Sequence, residues 1–410
     1  MSEADCAPRT LIKAGILWDG RSDHASRPGY VAVDGGRIVA AAEGPSPAAY
    51  SGWPVIDLSA FAVLPGAIDA HVHLFMGAEA DPVASLADDL ALATLRASAR
   101  ARDMLSHGIT TARDCGGREH ADIALRTAID CGIASGPRLL VSGKLITMTG
   151  GQGHRFGREA DGIDDCRRAA REQLKAGADF IKLMATGGVT TAGVQPGVLQ
   201  LELEELAAAV AEARKVGKLA AAHAQSPAGI KQSILAGVRS IEHGVDLPDE
   251  IIELMLERGA YLVPTLSAPY WIIEAARAGR PIPAAMVAKT ERIYEVHRAS
   301  VGRAAAAGVK MAMGTDAGTP YNRHGDNLGE IELLVDAGLT AADAWRTATA
   351  GAAALLGLGD EIGTIEAGKR ADLIAIAGDP FADVRGLPQR IKWVMQAGNV
   401  RRDARSGGRK

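Results

Sequence analysis

Two histidines one residue apart, His71 and His73, sit in Leu64–Phe75 (LPGAIDAHVHLF), an apolar run that reads as a strand. Side chains alternate faces along a strand, so both imidazoles project from one side. Neutral ring nitrogens held in this way ligate Zn or Fe at about 2.0–2.1 Å. Asp69 lies on the same face. Lys182 in FIKLMA, His223 in HAQ, His243 in IEHG and Asp316 in GTDAGTP extend the set. Each has an ordinary explanation alone: a strand histidine satisfied by its neighbours, a snorkelling lysine, an aspartate capping a helix. Taken jointly, they describe a metal site. An unpaired ammonium is costly inside an apolar run, and two cations beside Lys182 would drive its amine neutral. A neutral amine can add carbon dioxide, and the resulting carbamate supplies hard oxygen ligands that bridge two metals.

Bringing these residues together requires elements of one particular kind. From residue 64 the chain repeats a strand followed by a helix, the signature of parallel construction. Helices are expected at 84–106, 121–130, 164–175, 203–215, 228–236, 248–258, 284–307, 328–336 and 341–356. Between them fall GITTARDCGG, PRLLVSGKL, ADFIKLMATGG, KLAAAHAQ, VRSIEHGVD, AYLVPTLS and VKMAMGTDAGTP. With the first run these make eight strands, so the expected fold is α/β, a (β/α)8 TIM barrel over 64–358. Its chemistry belongs at the C-terminal strand ends, where the six candidate ligands lie. Short β-rich pieces with Asp-Gly turns occupy residues 1–63, and similar pieces occupy 359–410. These two ends are expected to pair as one small β-sandwich beside the barrel.

Composition narrows the function classes. Hydrophobic residues make up 47% of the 410 positions and aromatic ones only 4%, which suits small aliphatic side chains packed between helices and a parallel sheet. The formal charge of −4 lacks the basic footprint of a nucleic-acid binder, and the basic stretch Arg401–Lys410 reads as a frayed tail. Cys6, Cys115, Cys131 and Cys166 have no CxxC spacing, which argues against a thiolate zinc site and for reduced thiols. The polar start MSEADCAPRT resembles no signal peptide, and no run of about 18 apolar residues exists to span a bilayer. A soluble cytoplasmic protein acting on a small molecule is expected, with neither nucleic acid nor membrane as partner.

His71-X-His73, Lys182, His223, His243 and Asp316, in this order and on these expected strands, resemble the amidohydrolase superfamily in its dinuclear branch with a carboxylated lysine. The likeness spans essentially the whole chain. MTGGQGH (148–154), KLMATGGV (182–189), HAQ (223–225), IEHG (241–244), PTL (264–266) and GTDAGTP (314–320) are similar to the Xaa-Pro dipeptidase, arginine carboxypeptidase and ochratoxinase-like group. The resemblance implies two divalent ions, zinc first among them. His71, His73 and Asp316 would hold the more buried one and His223 and His243 the more exposed one. Carboxylated Lys182 and a hydroxide would bridge them. Asp316 would serve as general base and then general acid in hydrolysis of an amide bond of a dipeptide or N-acyl amino acid, ochratoxin-like amides included. It also implies a homo-oligomer.

His154, after the glycine-rich loop, is the candidate donor to the oxyanion or the substrate. Tyr270, placed in a loop after PTL, is a second candidate donor. Arg155, Arg323 and His324 are candidate anchors for a free carboxylate. His24, His107, His120 and His297 fall off the expected strand ends and receive no role. Two other chemistries stay open: hydrolysis or deamination of a cyclic small molecule, as in imidazolonepropionase or cytosine deaminase, and ester or lactone hydrolysis. The first group typically uses one metal without the lysine, so Lys182 discriminates.

Overall fold

The computed structural model describes residues 7–405; Cys6, the first residues and the last five of the basic tail lie outside them. Alternating apolar residues broken by Asp-Gly and Gly-Gly turns form β1 (Thr10–Leu17), β2 (Gly29–Asp34), β3 (Arg37–Glu43) and β4 (Val55–Pro65). The chain then passes through Gly66 into β5 (Ala67–Val72), α1 (Leu90–Ser106), β6 (Ile109–Asp114), α2 (Ala121–Asp130) and β7 (Arg138–Val141). Two short strands, β8 (Ile146–Thr147) and β9 (Arg158–Glu159), flank the glycine-rich loop.

From here strand and helix alternate: α3 (Ile163–Ala176), β10 (Phe180–Met184), α4 (Leu203–Lys215), β11 (Leu219–Ala224), α5 (Pro227–Ala236), β12 (Ser240–His243), α6 (Asp249–Arg258) and β13 (Tyr261–Val263). Local chemistry sets the bounds. Glu202 and Glu205 form a reciprocal capping box on α4, Pro227 starts α5 behind the Ser226 cap, and Gly177 ends α3 at φ +107°. Glu212 of α4 accepts both Arg171 of α3, at 3.0 and 3.1 Å, and Lys215 of its own helix.

Two helices follow β13 in succession, α7 (Ser267–Arg277) and α8 (Ala284–Ala306), before β14 (Lys310–Met311). Tyr270, expected in a loop, therefore lies on a helix. After α9 (Gly329–Asp336), the helix expected at 341–356 is broken into Ala341–Arg346, a π turn at Thr347–Gly351, and Ala352–Leu355. The chain ends with β15 (Leu373–Ala377), β16 (Ile391–Gln396) and β17 (Asn399–Asp403), so Arg401 and Arg402 are strand residues, not part of a frayed tail.

These strands form an α/β fold with parallel sheets. One runs β14-β13-β12-β11-β10-β8-β9 and the other β5-β6-β7, every pair parallel. Backbone bonds link them: Ala70 N–H to Met313 O (2.8 Å), Asp316 N–H to His71 O (2.7 Å) and Asp179 N–H to Val141 O (2.7 Å). Alanine, valine, leucine and isoleucine from strands and helices make one continuous core. Both chain ends meet in a third sheet, β17-β16-β15-β4-β1-β2-β3, with β15 antiparallel to β4. Among the described residues no helix is long and apolar enough to cross a membrane.

Candidate active site

The C-terminal ends of the parallel strands open onto a cavity of about 330 Å³ lined by His71, His73, Lys182, His223, His243 and Asp316. Parallel register accounts for part of this convergence. Met184 lies opposite His223 across β10 and β11, and Ala224 lies opposite His243 across β11 and β12, so the ligand-bearing ends sit level. Asp316 reaches the group from the other side, where its N–H bonds the His71 carbonyl. Its Oδ1 lies 3.4 Å from His71 Nε2 and 3.3 Å from His73 Nε2. Ligating atoms of His71, His243 and Asp316 all fall within 4.8 Å of one another. The His223 and His243 rings are 4.4 Å apart.

Three residues here hold left-handed backbone without being glycine: His243 (φ 72°), Thr265 (φ 56°) and Asp316 (φ 58°). Such conformations are costly for branched or bulky residues and concentrate at functional sites. Their effect is visible at β12. Alternation would send Glu242 and His243 to opposite faces, yet Glu242 Oε2 accepts His71 Nδ1–H at 2.7 Å while the His243 ring lies 5.2 Å from the His71 ring. The Thr265 hydroxyl meets His243 Nδ1 at 2.6 Å. Asp69, fully buried beneath, accepts from His71 N–H, the Thr315 hydroxyl and Asn327, tying β5 to the segment that carries Asp316.

Sequence reasoning missed Glu242, Arg113 and Thr265. Arg113, 3% exposed, donates to Glu242 at 2.7 Å, to the Ala70 carbonyl at 2.7 Å, and stacks over Phe180. A charge inside an apolar strand was the available signal for both Arg113 and Glu242. Thr265 lies within the PTL motif, but no role was assigned to it from sequence.

The donor set fits cations. A carboxylate only accepts, so His71 Nδ1 carries the ring proton and Nε2 is a bare lone pair. That lone pair faces an Asp316 oxygen with no hydrogen-bond partner of its own, two acceptors in opposition with a cation's place between them. His223 directs Nε2 at the Gly187 carbonyl, leaving Nδ1 bare. Lys182 is 2% exposed and its Nζ has no partner, the environment in which an ammonium is least tolerable. Burial pushes His71 well below its ordinary value and His223 down to about 3. Burial followed by its histidine neighbours does the same to His243. Neutral rings are the form that ligates metals.

Of the proposed substrate contacts, His154 and Arg155 line the cavity, half-buried and exposed respectively. His154 Nδ1 donates to the Gly151 carbonyl at 2.9 Å, which turns Nε2 into its free nitrogen. Tyr270, Arg323 and His324 are not brought to the cavity wall. The Tyr270 ring packs against Trp271 and the core, Arg323 is exposed on a turn, and His324 is buried behind His73, whose backbone it bonds. His297, assigned no role from sequence, does line the cavity.

Comparison with known proteins places this geometry in context. The model of the amidohydrolase family matches residues 62–401. Ochratoxinase of Aspergillus niger is 29% identical over 436 aligned positions, covering 98% of this chain and 88% of that protein. A solved Xaa-Pro dipeptidase with methionine bound in its active site is 33% identical with a TM-score of 0.88, covering 96% of this chain and 99% of the other. A prolidase solved in complex with N-methylphosphonate-L-proline is 31% identical with a TM-score of 0.88 and the same coverage.

Proposed function

This chain belongs to the amidohydrolase family and is a hydrolase acting on amide bonds, and from that premise we propose that it is a dinuclear metal-dependent enzyme releasing an amino acid from a dipeptide or an N-acyl amino acid. The observation that carries the reading is Lys182: a buried amine without a hydrogen-bond partner, sharing a cavity with His71, His73, His223, His243 and Asp316. His71, His73 and Asp316 would hold one divalent ion, His223 and His243 a second, with Lys182, carboxylated, between them. Zinc suits the imidazole and carboxylate set. When bound, such ions lower the pKa of water toward about 7 and polarise a carbonyl oxygen.

The chain's own groups supply the rest. Asp316 takes a proton from the attacking water through Oδ2, its other oxygen, Oδ1 being the one that faces the cation's place opposite His71. As the carbon–nitrogen bond breaks it returns that proton to the departing amine. His154, its Nδ1–H committed to Gly151, meets the oxyanion or a free carboxylate with Nε2 in its protonated form. Arg155 at the rim is a further carboxylate anchor. Glu242 and Thr265 fix the orientation of His71 and His243. We read the two parallel sheets, joined by backbone bonds at both seams, as one closed (β/α)8 barrel over 64–358. In the same reading the sheet from 1–63 and 359–410 curls over its own apolar core as a small sandwich.

Metal analysis of the purified protein tests the proposal, with about two divalent ions per chain expected. Turnover of dipeptides and N-acyl amino acids should cease with chelator and return with zinc. Lys182→Ala should lose both metal and activity. A Lys182→Ala protein with full metal content and turnover would favour the mononuclear chemistry of cyclic-substrate relatives.

A further inference from the structure

One wall of the cavity is made by helices. Ala268 and Ile272 lie four residues apart on α7, Ile293 and His297 four apart on α8, and all four line the cavity. Residues at that spacing share a helix face, so the wall is rigid. Val245, just past β12, extends it. None of these five is an acid, a lysine or an arginine, and the one polar member, His297, has its Nε2 committed to the His243 carbonyl at 2.9 Å.

Gln225 stands at the edge of this wall. It follows β11 two residues after His223, both line the cavity, and the pairing of Ala224 with His243 sets it beside Gly244 and Val245. Its backbone is pinned on both sides, N–H to the Thr186 hydroxyl at 3.1 Å and carbonyl from Asp246 N–H at 3.2 Å. The side chain is 8% exposed, yet its Oε1 is buried with no hydrogen-bond partner. Buried polar atoms left unmade are costly, so a fixed carboxamide of this kind is a group waiting for a ligand.

We propose that Gln225, Val245, Ile272 and Ile293 form a subsite for the acyl half of the substrate, accepting an uncharged apolar group and bonding one polar atom beside the scissile carbonyl. The inference rests on the hydrolase reading above, in which the amine leaves on the Asp316 side, so that the wall beyond His223 and His243 faces the acyl half.

Binding separates the subsite from catalysis. Calorimetry on the metal-loaded protein with 4-methylpentanoate, glutarate and 5-aminopentanoate compares apolar, anionic and cationic tails on one carboxylate. The apolar acid should bind at least about tenfold tighter than either charged one. Ile293→Asp should remove that preference and favour 5-aminopentanoate over glutarate. Adding a 2-hydroxyl to 4-methylpentanoate should tighten binding to the native protein, and Gln225→Leu should abolish the gain. Equal binding of the three acids to the native protein overturns the subsite, whether or not Ile293→Asp folds. A hydroxyl gain that survives Gln225→Leu overturns the role of Gln225. Acids that bind as expected while no amide is cleaved leave the subsite standing and defeat the hydrolase reading. Cleaved amides with equal acid binding do the reverse.

Discussion

Replacing Glu242 with glutamine exchanges one oxygen for nitrogen at constant volume, which isolates charge and hydrogen bonding from packing. The native carboxylate is fully buried; Oε1 accepts Arg113 at 2.7 Å and Ser240 at 2.5 Å, and Oε2 accepts His71 Nδ1–H at 2.7 Å. Without that charge the Arg113 guanidinium, 3% exposed, loses its counter-ion. Breaking a buried pair on one side costs about 3–5 kcal/mol. Arg113 keeps the Ala70 carbonyl and the Phe180 ring face, 5.0 Å away, so the lower end, about 3 kcal/mol, is expected. That is a large share of the roughly 5–15 kcal/mol that holds a typical protein folded.

A second effect reaches the site itself. The new amide keeps its oxygen toward the Arg113 cation and turns its NH2 toward His71. Nδ1 must then accept, and the ring proton moves to Nε2, the nitrogen facing Asp316. A protonated ring nitrogen cannot ligate, so cation retention should fall about 10–100-fold. Urea unfolding of the metal-free proteins reads the first effect, and metal content after dialysis against graded chelator reads the second. A Glu242→Gln protein within about 0.5 kcal/mol of the native one and retaining metal equally well would refute the argument.

Asp316→Asn removes the proton carrier while keeping the side chain's size, and kcat should fall by about 10²–10⁴ with the fold intact by circular dichroism. Thr265→Val preserves the branched shape at φ 56° but deletes the hydroxyl on His243, so chelator should strip metal at about tenfold lower concentration. Far from the site, hydrogen bonds from Arg171 and Lys215 hold the Glu212 carboxyl down to about 2. A depressed carboxyl stabilises the fold above its ordinary value of 4.5 and loses that contribution as pH falls toward 2. Glu212→Gln should therefore be the less stable protein at pH 7 in urea unfolding, with the gap closing between pH 5 and pH 2; a gap independent of pH would contradict this.

The parts of the molecule legible from sequence are those governed by local periodicity. Ala121–Asp130 and Leu203–Lys215 are helices over the expected bounds, because apolar spacing and flanking caps act within a few residues. His71 and His73 both reach the cavity, as their spacing leads one to expect, although β5 ends at Val72 and its register against β6 shifts between Asp69 and Val72. Ser267–Arg277 escaped because Pro269 reads as a breaker, although proline is tolerated in a first helical turn, where its missing N–H has no partner to lose. Tyr270 turns on that helix toward Trp271 and the core, away from the ligands.

The charges of Glu242 and Arg113 were visible in the sequence, but their pairing was not. Each is a single charge in a buried strand, and the partner that explains it lies 129 positions away. The rule used to place side chains also fails at the site. His243, Thr265 and Asp316 carry positive φ with no glycine to mark it, and Glu242 and His243 reach one centre only because alternation breaks between them. A regular strand presents one side chain in two to a given face. Two consecutive residues can serve the same centre only where the backbone accepts strain, and that strain is sustained by the groups it brings together: the Thr265 hydroxyl on His243, and the Asp316 N–H on His71. Period-two reasoning therefore finds the strands and the side chains that line the cavity, and misses the neighbour, Glu242, that serves the same centre out of turn.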